Sequence, residues 1–307
     1  MTNHFPTFKQ SIVLLVSIIL FQVALVFIAS FLLIAAGMLD MNHVADIIKK
    51  FPFLIGILNL LAISPAIFWG YKKTQTPFTK VFPFQPAPGR VFIPTALILI
   101  GLSILLSELD NLLHIILKMP VDPNDALQQL VNSGSIWSAV FALVIVAPFT
   151  EEFLFRGLLL TGFLNNYSVK KAIWITALLF GIFHLNIFQI PGAIIIGLYF
   201  AWLTVKTKSL WPSLLGHALA NSLPIIIGQI LKIQILGYTV QNNDRIAMQP
   251  LWFDGIGLAL VVFGIVLARP AGLWPSPVST IVASPEPAPE PIKTEPIPVS
   301  GTESNTD

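Results

Sequence analysis

SIVLLVSIILFQVALVFIASFLLIAAGM, Ser11–Met38, holds no charged residue over 28 positions. A bilayer's hydrocarbon core, about 30 Å thick, is crossed by about 20 apolar residues in a helix. The stretch is therefore long enough to span with residues to spare. Only Lys9 precedes it as a basic residue and no small-residue cleavage site stands out, so it reads as a retained first span rather than a leader. Further apolar stretches follow at Phe51–Tyr71, Val91–Leu106, Ile136–Thr150, Ala172–Ile190, Gly192–Val205, Trp211–Ile230 and Trp252–Ala268. An all-α polytopic membrane protein of about eight transmembrane helices is expected. Its third, fourth and sixth spans are short enough to need tilting or burial against neighbours.

Composition agrees. Of 307 residues, 55% are hydrophobic and 10% charged, with a mean hydropathy of +0.81. A soluble domain carries about 25% charged residues, so a soluble enzyme is excluded. The net charge of +2, with no basic run among aromatics, gives no reason to expect nucleic acid as a partner; the expected surroundings are the lipid bilayer. Cysteine is absent, which removes thiol nucleophiles, thiolate metal sites and disulfides.

Loop charges orient the spans. With the N-terminus inside, Lys9, Lys72, Lys73, Lys80, Arg90, Arg156, Lys170, Lys171, Lys206, Lys208, Arg269 and Lys293 fall on the inner side. Lys49, Lys50, Lys118, Lys232 and Arg245 fall on the outer. The positive-inside rule then expects a multi-pass plasma-membrane protein with both termini cytoplasmic. Residues 1–269 make the membrane domain. Residues 270–307 contain nine prolines and the acids Glu286, Glu290, Glu295, Glu303 and Asp307, and read as a disordered cytoplasmic tail.

An ionisable group inside a span costs at least about 2.5–3.5 kcal/mol on insertion scales, so each needs a reason. Thr150-Glu151-Glu152-Phe153-Leu154-Phe155-Arg156-Gly157 closes the fourth span. Glu152 and Arg156, spaced i,i+4, can pair on one face, which leaves Glu151 without a local counter-ion; a solvated helix end is the plainer reading. His184, in Phe180-Gly-Ile-Phe-His184, is expected about 18 Å into the fifth span; a packed neutral histidine is its alternative. His217 and Asn221 share a face of the seventh span among small neighbours, where a plain helix–helix hydrogen bond would also serve. Glu108, Asp110, His114, Asp122 and Asp125 read as a solvated amphipathic segment and outer loop. Asp254 reads as an N-terminal helix charge, and His4 and His43 receive no role.

Were these spans neighbours, one carboxylate, two imidazoles and an amide would meet in a wet cavity. Those are the parts of water-mediated amide hydrolysis: a base, and donors for developing negative charge. His-Glu-x-x-His, Gly-x-Ser-Gly, paired intramembrane aspartates and a Walker loop are all missing from the sequence.

Glu151-Glu152-x3-Arg156, Phe180-x3-His184 and His217-x3-Asn221, in that order and within residues 130–230, resemble the three motifs of the CPBP family, the CAAX prenyl endopeptidases and bacteriocin-processing (ABI-type) intramembrane proteases. The resemblance implies an eight-helix endopeptidase whose cavity opens to the cytoplasm. Its substrate would be a membrane-associated, prenylated or leader-type peptide, entering from the membrane or the cytoplasm. By analogy Glu151 activates water with help from His184, His217 and Asn221 hold the oxyanion, and Glu152 and Arg156 support the site. The family has also been described as metal-dependent, which would make His184 and His217 zinc ligands; the glutamate mechanism needs no cofactor. Asn221 is a poor zinc ligand and a good oxyanion donor, which favours the latter. A non-proteolytic scaffold or immunity protein of the same fold is the alternative, and a small-solute transporter a more distant one.

Overall fold

The computed structural model describes residues 4–40, 51–119, 135–241 and 246–273. His43, Lys49, Lys50, Asp122, Asp125, Arg245 and the tail from residue 274 onward lie outside the described residues. The chain divides into a unit of Met1–Trp274 and a second of Pro275–Asp307, and all described residues belong to the first.

Among the described residues there is no strand, and the long helices run α1 (Phe8–Ala35), α2 (Leu54–Thr74), α3 (Phe92–Leu117), α4 (Ile136–Asn166), α5 (Val169–Phe183), α6 (Gln189–Thr207), α7 (Trp211–Ile230) and α8 (Leu251–Ala268). Their order matches the expected spans. α1 starts at a capping box in which the Thr7 hydroxyl accepts from Gln10 N and the Gln10 side chain accepts from Thr7 N. Its outer face stays bare: Val13 is 67% exposed, Phe27 72% and Phe31 69%. Water would penalise such a face, whereas lipid solvates it at no cost, and a helix keeps its own backbone satisfied there.

The lengths depart from expectation in an informative way. α3, α4 and α6, expected to be short, cover 26, 31 and 19 residues in the regions Phe92–Leu117, Ile136–Asn166 and Gln189–Thr207. Among the described residues, seven helices are long and apolar enough to cross a membrane. The remaining one is α5, with 15 residues, about 22 Å at 1.5 Å per residue. It ends at Phe183 instead of running on toward Ile190, because Leu185 turns left-handed (φ 53°) and Asn186 Oδ1 accepts from Phe188 N to start α6. Hydropathy across 172–190 does not register this local side-chain competition with the helix.

Two different ends result. At one lie the starts of α1, α3, α5 and α7 and the finishes of α2, α4, α6 and α8. Hydrogen bonds knit this end together: Asn166 Nδ2 donates to His4 O at 2.6 Å, Leu210 N to Pro83 O at 2.8 Å, and Ser209 Oγ to Gln85 O at 2.6 Å. The main hydrophobic core lies just inside it, with Val81, Phe82, Leu154, Phe155, Leu158, Leu159 and Phe163 buried.

The opposite end is organised by α3. Glu108 Oε2 accepts from Asn111 Nδ2 and from Gln249 N, and Asn111 Nδ2 also donates to Gly237 O. His114 is 7% exposed and stacks on Phe188 with centroids 3.6 Å apart. The segment expected to be solvated is instead the last turns of α3, tying down the connection between α7 and α8. Asp254 does sit in the first turn of α8.

α3 and α8 pack through glycine. A Cβ on Gly101 would lie 2.4 Å from Gly257 O, and one on Gly264 would lie 3.0 Å from Pro94 O. Such close backbone approach is how helices gain packing in lipid. Gly101→Ala is expected to cost about 1–3 kcal/mol by overpacking, read as a lower thermal midpoint in detergent. Gly255→Ala, where a Cβ meets nothing within 4 Å, should leave the midpoint in place.

Candidate active site

α4 is one helix with two loosened stretches, Val140–Val146 and Phe153–Leu159, whose turns are wider than α. Between them stands Ala147–Glu152. Ala147 N bonds to Ala142 O, five residues back. In that register Leu143 O should be taken by residue 148, but Pro148 has no N–H. Asn221 Nδ2 donates to Leu143 O instead, at 2.9 Å. The sequence Ala147-Pro148 thus opens a carbonyl on α4 that draws the amide of α7 to it, and wide turns of this kind are frequent at functional sites. Thr150 Oγ1 donates to Val146 O at 2.8 Å, closing the turn below.

Glu151 was expected at a helix end and lies instead near the middle of α4, which continues to Asn166. Glu152 and Arg156 pair as their spacing predicts, Nη1 to Oε1 at 3.1 Å, both side chains fully buried. The guanidinium sits over the Phe180 ring at 4.2 Å and near the Phe200 ring at 5.2 Å, and Nη2 reaches Gly197 O at 3.5 Å. An ion removed from water needs such company. Phe180 is legible in the sequence only as the start of the Phe180-x3-His184 motif, and Phe200, with no polar signal, is not legible there as a site residue.

His217 lies between the adjacent carboxylates. Its Nδ1 donates to Glu152 Oε1 at 2.9 Å, and its Nε2 stands 3.9 Å from Glu151 Oε2. The carboxylate with the structural ion pair therefore also sets the ring's tautomer, leaving Nε2 toward Glu151. Glu151 Oε2 is buried without a hydrogen bond from the protein. His184, at the C-terminal end of α5, donates Nδ1–H to Phe180 O at 2.8 Å, which leaves Nε2 available.

Glu151, His184, His217 and Asn221 all line one cavity of about 460 Å³, within the usual range of small-molecule and peptide side-chain sites. Ile55, Asn59, Ser107, Asp110, Phe188, Gln189 and Ile225 continue its wall. Glu152 and Arg156 lie behind the wall. Among the described residues, no three His, Asp or Glu side chains converge as a metal's ligand set. Asp110, read in the sequence as part of a solvated segment, is on the cavity wall; only the folding of α3 toward α6 brings it there.

The cavity reaches the helix ends at Ile55, His184 and Gln189, all at the end opposite the hydrogen-bonded, core-filled one. The expected cytoplasmic opening and the expected cytoplasmic termini therefore do not fit together.

Residues 133–223 match the family model Type II CAAX prenyl endopeptidase Rce1-like. The match bears out the resemblance read from the three motifs, and it spans all of them. The segment is Rce1-like, in a multi-pass, all-helical membrane protein, and peptidase is the activity this implies. Comparison with curated proteins and with solved structures gives no match.

Proposed function

We propose that the protein is a glutamate-dependent intramembrane endopeptidase, hydrolysing a peptide bond of a membrane-associated, prenylated or leader-type peptide without a metal. What carries the reading is one arrangement. Glu151 Oε2, buried and free of protein hydrogen bonds, faces His217 Nε2 on the wall of a cavity shared with His184 and Asn221. Glu151 takes a proton from water as the water oxygen attacks the scissile carbonyl carbon. The carbonyl electron pair moves to oxygen, and the oxyanion accepts from the second Asn221 N–H and, in the imidazolium form, from His217 Nε2–H. His184 Nε2 helps to orient the water. As the tetrahedral intermediate collapses, the C–N bond breaks and Glu151 returns the proton to the leaving amine, giving a carboxylate and a free amine.

Glu152 and Arg156 act as positioning residues, holding His217 in its tautomer. The surplus of Lys and Arg at the connected end supports a plasma-membrane placement with both termini cytoplasmic. The purified protein in lipid nanodiscs, given membrane-inserted peptides, should generate new N-termini detectable by mass spectrometry. Treatment with EDTA should leave their yield unchanged. A loss that zinc restores would overturn the metal-free chemistry; no cutting of any peptide would overturn the peptidase reading.

A further inference from the structure

We infer that the catalytic cavity opens on the non-cytoplasmic face of the membrane, and that its substrate is a peptide segment already delivered to that face. This rests on the peptidase reading for the word substrate, and on geometry for the side.

Three independent observations meet. Lys9, Lys72, Lys73, Lys80, Arg90, Lys170, Lys171, Lys206, Lys208 and Arg269 all belong to the end where α1, α3, α5 and α7 begin. At the other end the described residues contribute Lys118 and Lys232. That bias holds the basic end in the cytoplasm. Second, the cavity touches only helix ends of the other set, at Ile55, His184 and Gln189.

Third, the path from the basic end is filled. Phe155, Leu158, Leu159 and Phe163, all fully buried, lie with the Glu152–Arg156 pair between the cavity and the charged connections. A cytosolic chain would have to displace these fully buried side chains and pass a buried ion pair. A chain on the far side meets His184, Gln189 and Asp110 at the mouth, polar groups suited to an extended peptide backbone. The reaction that supplies this substrate is therefore peptide export or membrane insertion, and cleavage follows it.

The chain contains no cysteine, so any single introduced thiol is unique. Ser107→Cys and Gln189→Cys probe the cavity from two helices, and Lys171→Cys, exposed at the basic end, is the reference. Spheroplasts expressing each variant are treated with a membrane-impermeant charged maleimide before or after lysis. Both cavity thiols should label in intact spheroplasts, and Lys171→Cys only after lysis. The reverse pattern, or cavity thiols that label only after lysis or not at all, would overturn the inference. Labelling needs no turnover, so these outcomes leave the peptidase reading standing. Conversely, an inactive protein with outward-facing thiols would sink the peptidase and keep the orientation.

Discussion

Glu151→Gln is expected to abolish cleavage while the protein stays folded. The substitution keeps the side chain's volume and one carbonyl oxygen but removes the carboxylate on the cavity wall that stands beside His217 Nε2, 3.9 Å away. General-base assistance is worth about 10²–10⁴-fold in rate, and a loss of that size is expected in product yield per unit time. Because Glu151 accepts no protein hydrogen bond through Oε2, the amide leaves no donor stranded, and the thermal midpoint should stay close to wild type. Glu152→Gln behaves differently: Oε1 can still accept from His217 Nδ1, but the charge facing Arg156 is gone, so stability falls along with rate.

Arg156→Met is expected to be the most damaging change to stability. The guanidinium is buried against Glu152, Phe180 and Phe200, and removing one partner of a buried pair leaves the other charge uncompensated. That costs about 3–5 kcal/mol. Detergent-solubilised Arg156→Met should unfold at a much lower temperature, and His217, tied through Glu152, should lose its fixed orientation. The double variant Arg156→Met, Glu152→Gln removes both charges and should recover much of the midpoint. Additive losses in the double variant would mean that the pair contributes only as separate packing elements.

Much of this was legible in the chain, and the reasons are physical. Apolar length counts spans well because lipid tolerates little else, so the order of eight helices could be read directly. The i,i+4 spacing of Glu152 and Arg156 and of His217 and Asn221 could be read because helix geometry is local. Where α5 stops was not legible: the left-handed turn at Leu185 and the Asn186 contact are not hydropathy features. The position of Glu151 within α4 was mistaken because the first charged pair looked like a membrane boundary, when in fact Arg156 is neutralised internally and the helix runs on to Asn166. His217 lying between both carboxylates depends on how α7 crosses α4, which no single-helix pattern contains. The pairing of Asn221 with Leu143 O follows from Pro148 only once the wide turn is seen.

The most direct test reads the fate of the water. Wild-type protein and Glu151→Gln, reconstituted in nanodiscs with a cleaved membrane peptide, are run in water enriched in oxygen-18. One labelled oxygen should enter the new C-terminal carboxylate with the wild type, and neither label nor product should accumulate with the variant. Equal yields of labelled product from both proteins would mean that Glu151 is not the base.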